Sequence, residues 1–338
     1  MDLGICIPTR NQSELISDAL RSAFCQTKQP CHVVVSDDAG TDDTETVVER
    51  FRQTLPEPIR PVLHYSRSPQ CLGIGGNFDR AVRLAEGDFV VKLDSDDILE
   101  PSFIEVLSAH LEANPRAGWA HSNVLNIHPD GSSIGLAHTR KRTRFYPAAE
   151  ALPAYFRHND TCHCVMLRKS AYLEVGGYRP EMKTCEDWLL WLEMQFAGWG
   201  YCFDQRPLAK MRKYDARPEL MSRRRKDFVE SIQFMVPRIE LLCRQKAVAL
   251  NMPAESLLEQ FRAAVARLCV SSGCDEDDVA VRKALFTAAF EIHPSIANRL
   301  WLKAGFPLPA PMTRLGASLS SIPRRVARAI WQRARQMT

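Results

Sequence analysis

In the N-terminal third of the chain, short continuous apolar runs alternate with segments whose apolar residues recur at helical spacing, and no other feature restricts the fold as much. Leu3-Gly4-Ile5-Cys6-Ile7, His32 to Ser36, Pro61 to Tyr65 and Asp88 to Leu93 read as buried strands. Between them, Leu15, Ile16, Ala19, Leu20, Ala23 and Phe24 form one helical stripe, with Ser13 as its N-cap. Val47, Val48 and Phe51 form a second, and Phe78, Ala81, Val82 and Ala85 a third. A helix over Phe103, Val106, Leu107 and Leu111 then leads to a strand from Gly118 to Ser122. This order implies an α/β fold with a mostly parallel sheet covered on both faces. Ligands of such sheets bind beyond the carboxyl ends of the strands. Three of those ends are Pro8-Thr9-Arg10-Asn11, Asp37-Asp38 and Asp94-Ser95-Asp96-Asp97.

The last of these packs three carboxylates into four residues, and like charges that close raise one another's pKa unless a cation sits among them. A divalent metal held by one or two carboxylates and substrate phosphates relieves that cost. Equally, Asp97 can cap the following helix while the other two stay solvated. Leu72-Gly73-Ile74-Gly75-Gly76-Asn77 lacks the third glycine of a dinucleotide fingerprint and reads either as a turn approaching a ligand or as a loop before a helix.

From Asn123 the pattern changes. Asn123 to Leu136 reads as a hairpin turning at Pro129-Asp130-Gly131, and Arg140-Lys141-Arg142-Thr143-Arg144 as a mobile or substrate-facing loop. Cys162 to Leu167 reads as a strand, Arg168 to Val175 as a short helix, and Cys185-Glu186-Asp187 opens an apolar helix through Trp188, Leu189, Trp191, Leu192 and Phe196. Tyr201-Cys202-Phe203 is a further strand. Beyond Arg223 only helical signals remain: Phe228 to Ala249, Ala254 to Val270, Asp277 to Phe290 and Pro294 to Lys303. A division into residues 1-222 and a helical region 223-338 follows. Pro307, Pro309 and Pro311 read as a linker, and Ile322 to Gln336, with Arg324, Arg325, Arg328, Arg333 and Arg335, either as a helix on an anionic membrane surface or as a solvated or dimer-forming helix.

A net charge of +4 over 338 residues gives no argument for a nucleic-acid partner. Eleven cysteines without a CxxC pair read as reduced thiols of a cytoplasmic protein. Cys162-His163-Cys164 with His158 does not have the spacing of a structural zinc knuckle. If Leu3 to Ile7 is the first strand, no charged leader precedes it, and no apolar stretch is long enough to span a bilayer.

Ile5 to Asn11, Val34 to Thr44, Gly87 to Asp97, and Val175-Gly176-Gly177-Tyr178 followed by Glu186-Asp187 together resemble the inverting glycosyltransferases of family 2. The resemblance covers residues 2 to 215 and implies a GT-A fold, Rossmann-like with a mostly parallel central sheet, carrying an α-helical C-terminal extension. It implies a nucleotide-sugar donor bound by Pro8, Thr9, Arg10, Asn11, Asp38, Gly73, Asn77, Asp94 and Ser95. Pro8 to Arg10 would border the base; relatives often have an aromatic residue at the Arg10 position, and a guanidinium plane also stacks. Asp38 would accept a hydrogen bond from the base, with Asp37 structural, and Asp94 would contact the ribose or act through water. Asp96 would coordinate Mn²⁺ or Mg²⁺ bridging the diphosphate. Asp187 would be the general base, with Glu186 and Trp188 on the acceptor side.

The chemistry suits these residue types. A metal stabilises the departing diphosphate without a proton donor, and the attacking hydroxyl needs one carboxylate to take its proton. At the start of a helix, Asp187 could instead merely complement its dipole, and Glu186 would orient the loop or bind acceptor hydroxyls. The expected partners are the donor and a hydroxyl acceptor, such as a lipid-linked glycan of polysaccharide or glycolipid assembly, with peripheral contact to the inner face of the membrane. Two other readings stand beside this one. A nucleotidyltransferase would need a glycine-rich loop that Pro8 to Asn11 does not supply, and a catalytically silent nucleotide-sugar-binding or scaffold protein would act through its helical region.

Overall fold

A computed structural model describes residues 2–138, 141–214, 218–246 and 252–294. The chain divides into two compact units, the first ending near residue 215.

The first unit is built on one sheet. Its strands are β1 (Leu3–Thr9), β2 (His32–Asp37), β3 (Leu63–Arg67), β4 (Phe89–Lys92), β5 (Ile98–Leu99), β6 (Ala117–Ile127), β7 (Ser133–Leu136), β8 (Arg144–Tyr146), β9 (Val165–Arg168) and β10 (Gly200–Arg212). Its helices are α1 (Ile16–Phe24), α2 (Thr44–Thr54), α3 (Gly73–Leu84), α4 (Phe103–Ala113), α5 (Ala148–Tyr155), α6 (Lys169–Glu174) and α7 (Glu186–Phe196). The strand order is β3-β2-β1-β4-β9-β6-β10-β5, with β7 beside β6 and β8 beside β10.

β3, β2, β1 and β4 run parallel, as their apolar runs and intervening helices require. β9 then enters antiparallel to both β4 and β6, so the sheet is mixed beyond β4. This insertion brings the chain before β9 to the end of the sheet where β1, β2 and β4 stop. The core under the parallel strands is formed by Ile5, Ile7, Ile16, Leu20, Val33, Val35, Phe89 and Val91. On the other side of β9, Trp119 is fully buried between Trp191 and Tyr201, at ring separations of 4.9 and 5.2 Å.

Several local expectations are corrected. α1 starts at Ile16 without a side-chain cap, because the Ser13 backbone N–H donates to Asp42 at 2.8 Å rather than Ser13 capping the helix. Pro61 belongs to a short 3₁₀ turn, Glu57–Val62, which leaves β3 to begin at Leu63. Gly73, Gly75 and Gly76 lie inside the first turn of α3 instead of in a loop before it. Asp97 does not cap the next helix; it is buried and accepts the Arg212 backbone N–H at 3.0 Å.

Of the basic stretch, Arg142 and Thr143 are exposed and lie in no helix or strand. Lys141 is largely covered, ion-paired to Asp160 at 2.7 Å and seated 4.6 and 4.7 Å from the Tyr201 and Phe203 rings, while Arg144 opens β8. α5, which the sequence reading left out, follows directly.

The second unit contains α8 (Pro218–Lys246), α9 (Ala254–Cys274) and α10 (Val279–Ile292). Ile232, Met235, Ile239, Phe261, Val265, Leu285 and Phe286 form its apolar interior. Asp278 caps α10 by accepting from Ala280 and Val281. Arg140, the proline linker, the basic tail and nearly all of the helix expected from Pro294 to Lys303 lie outside the described residues. Among the described residues no helix is long and apolar enough to cross a membrane.

Candidate active site

Parallel pairing places Thr9 beside Asp37 and Cys6 beside Lys92, so the polar ends of β1, β2 and β4 lie side by side. Much of what lines these ends holds them together. Asp37 accepts the Gly40 N–H at 2.8 Å and the Tyr65 hydroxyl at 2.6 Å, the structural part expected of it. Buried Asn77 donates to the carbonyls of Thr9 and Ser36 and accepts from the Ser36 hydroxyl, which ties α3 to β1 and β2.

Asp38 accepts the backbone N–H groups of Leu72 at 2.6 Å and Gly73 at 3.1 Å. It therefore satisfies two amides that the start of α3 leaves without intrahelical partners. Arg10 is exposed and donates to the Cys71 sulfur at 3.0 Å, while Pro8, Thr9 and Ser95 are buried. Asn11, in the left-handed region, accepts the Thr41 N–H at 2.7 Å.

Because Asp38 serves α3, Asp38→Ala should cost about 1–2 kcal/mol of stability in the absence of any nucleotide. Asp38→Asn, which keeps an acceptor oxygen, should cost less than half as much. Melting of the two unliganded variants checks this, and equal losses would show that the cap does not carry the effect.

The acids after β4 have distinct surroundings. Lys92 is buried, 2.7 Å from Asp94 Oδ1 and 4.1 Å from the Phe78 ring. Burial opposes the Lys92 charge, yet Asp94 raises its pKa above the ordinary lysine value. Burial likewise works to raise the Asp94 carboxyl, but Lys92 and then His163, 3.4 Å away, hold it well below the usual carboxylate range. Asp96 is raised by burial and by Asp94, and accepts from the Tyr214 hydroxyl. Asp97 is pushed up to about 7 by burial, then by Asp94 and Asp96. Arg212 fastens the turn, donating to the Asp96 carbonyl at 2.6 Å and to Asp18 at 2.7 Å.

The start of α7 meets this cluster. A side chain on Gly75 would come within 3.1 Å of the Arg179 carbonyl and 3.5 Å of the Glu186 Cβ, so the glycine lets α3 approach that turn. Cys185, in the left-handed region at φ 58°, turns the chain into the helix. Glu186 is pushed up to about 7 by burial and then by Asp187. Asp187 Oδ2 accepts the Asn159 side-chain N–H at 2.7 Å and Oδ1 the Trp188 backbone N–H at 2.7 Å. Its charge acts on both Lys92 and His163. Trp188 is buried with its indole N–H on the Tyr155 carbonyl at 2.6 Å, which makes it the footing of α7 rather than an acceptor-facing surface.

The six residues from Asn159 to Cys164 join these parts. Asn159 bonds Asp187, Asp160 pairs with Lys141, and Thr161 bonds Trp119 and Tyr155. Cys162 lies 3.4 Å from His138, His163 meets Asp94, and Cys164 meets Asp97. Asn159, His163, Lys92, Arg212 and Tyr214 were not singled out as site residues. The polar triplet His158-Asn159-Asp160 before an apolar run was the one available signal.

Among the described residues no three His, Cys, Asp or Glu side chains are grouped to hold a metal by themselves. Asp94 is already engaged by Lys92 and His163. Asp96, whose charged form burial and then Asp94 disfavour, suits a hard divalent ion completed by phosphate oxygens.

The family model for Glycosyl transferase family 2 matches residues 4–176. Chondroitin synthase of Escherichia coli is 26% identical over 196 residues, 58% of this chain and 27% of that protein. The chain spans about a third of the length of the curated relatives it matches. Staphylococcus aureus TarS residues 1–349 in complex with UDP superposes with a TM-score of 0.64 at 16% identity, covering 100% of this chain and 92% of that one. The mannosyltransferase PcManGT of Pyrobaculum calidifontis, in complex with GDP-Man and Mn²⁺, gives 0.52 at 16% identity, covering 95% and 88%. These likenesses show the GT-A fold.

Proposed function

The chain belongs to glycosyltransferase family 2, and on that premise we propose that it transfers one sugar from a nucleotide-diphosphate sugar to a hydroxyl acceptor with inversion. The observation that carries this is the meeting of two acidic groups with different surroundings. Asp94 and Asp96 lie at the end of β4, Asp187 at the start of α7, and both Asp94 and Asp187 act on Lys92 and His163.

In this reading the acceptor oxygen attacks the anomeric carbon and its proton passes to Asp187. The bond from that carbon to the diphosphate oxygen breaks, and the nucleoside diphosphate leaves with the electron pair. Asp96 would hold Mn²⁺ or Mg²⁺, which when bound neutralises charge on the departing diphosphate. Pro8 to Asn11, Asp38 and Gly73 border the nucleotide, and Thr9, Asn77 and Ser95 form its rigid floor. Glu186 borders the acceptor, with Trp188 supporting the helix beneath it. Residues 1-222 form the catalytic part. Likeness to a chondroitin synthase supports a glycan as acceptor; that it is lipid-linked is part of the proposal.

Melting with UDP, GDP, dTDP and CMP, each with Mn²⁺ or Mg²⁺ or without metal, tests the donor site. At a nucleotide concentration 100 times its Kd, stability should rise by about 2.7 kcal/mol. Asp96→Ala should remove the metal-dependent share. Absence of any shift at millimolar nucleotide would sink the proposal.

A further inference from the structure

The carboxylate assigned as base is held from outside its own helix. Asn159 Nδ2 lies 2.7 Å from Asp187 Oδ2, and Asn159 Oδ1 accepts the Thr161 N–H at 3.3 Å. That second bond fixes which way the amide points, since a flip would set its oxygen against the carboxylate. The backbone presenting it is fixed too. Thr161 is buried, with its hydroxyl 3.2 Å from the Trp119 indole nitrogen and 2.6 Å from the Tyr155 hydroxyl, and Asp160 is paired with Lys141. With Oδ1 on the Trp188 N–H, two donors from separate elements define the plane of the Asp187 carboxylate.

We propose that Asn159 is the positioning residue of the base, holding the Asp187 carboxylate aimed at the acceptor hydroxyl; this rests on the reading of Asp187 above. Among the described residues, charged and titratable groups that Asp187 acts on are Glu186 on its own helix, Lys92 on β4, His163 before β9, and Tyr178 and Cys185 in the preceding turn. Asn159 is a neutral side-chain donor beside them, so it can orient the carboxylate without becoming a competing acid or base.

The test compares wild type, Asn159→Ala, Asn159→Asp and Asp187→Asn. The first readout is diphosphate release from UDP-N-acetylglucosamine, UDP-glucose and GDP-mannose with Mn²⁺ and water as acceptor, followed from about pH 3.5 to 9 so that the limb of an ordinary carboxylate is covered. Asn159→Ala should lower kcat about tenfold near pH 7 with KM for the donor unchanged. Asn159→Asp should move the acid limb of the kcat profile up by about one pH unit, because two adjacent carboxylates resist sharing charge. A purely structural role would lower yield or melting temperature and leave that limb in place.

The second readout is melting, which needs no substrate. Relative to wild type, Asn159→Asp should lose several degrees between pH 5 and 8, and this loss should vanish in the Asp187→Asn background. If Asp187→Asn alone abolishes release while both Asn159 variants keep the wild-type profile, this inference falls and the assigned base stands. If wild type releases nothing, or Asp187→Asn keeps its rate, the parent reading falls. Melting then decides the contact, and identical pH dependence in both backgrounds overturns it.

Discussion

Asp187→Asn should lower turnover by about 10²–10⁴-fold while leaving the affinity for nucleoside diphosphate within about twofold, the signature of losing a general base. Asparagine matches the carboxylate in shape and can still accept the Trp188 N–H, so the start of α7 is preserved. What it lacks is the basic oxygen. On the proposed donor side, at the ends of β1, β2 and β4, the charge of Asp187 is felt at Lys92, as it is at His163 before β9. Nucleotide-induced melting shifts and turnover should therefore separate cleanly. Turnover within tenfold of wild type would remove Asp187 from the chemistry. Loss of both turnover and nucleotide binding would make it part of the donor site instead.

The second large effect is on stability. Lys92→Met retains a chain of similar bulk beside Phe78 but removes the lysine charge from Asp94, leaving it beside His163. Removing one partner of a buried pair costs about 3–5 kcal/mol, because the other charge stays uncompensated. The pH dependence follows from the two opposed influences on Asp94. In the wild type Lys92 depresses its pKa, so the stability it contributes is complete above the ordinary carboxylate range and is lost as pH falls through and below it. Without Lys92, burial dominates and raises the carboxyl, so the variant regains stability as acid protonates Asp94. The deficit should be largest near pH 7 and shrink toward pH 5, and Lys92→Met/Asp94→Asn should recover most of it. A deficit independent of pH, or no recovery in the double variant, would show that packing against Phe78 carries the cost.

What the sequence made legible here is local. Asp94, Asp96 and Asp187 stood out because each follows or opens an element whose periodicity is visible within a dozen residues. The parallel half of the sheet was legible for the same reason. The insertion of β9 between β4 and β6 was not, since strand neighbours are settled by packing across the whole sheet rather than by any run of residues. Asn159 and His163 depended on that insertion, and so had no local signal beyond their polarity. Lys141 shows the opposite failure: its basic neighbours suggested solvent, but three aromatic rings and Asp160 were available to bury it. Asp38 and Asn77 have the residue types of ligand contacts because closing the end of a parallel sheet calls for the same donors and acceptors.

The short stretch from Asn159 to Cys164 touches the carboxylate of α7 at one end and the acids of β4 at the other. On the proposed function, a donor that draws on Asp94 and an acceptor that engages Asp187 would pull on a single piece of backbone. Any coupling of their affinities would be reciprocal: whatever factor the first substrate imposed on the second, the second would return to the first. Cooperation between the two substrates would then be written into the fold itself, without a hinge or a moving domain.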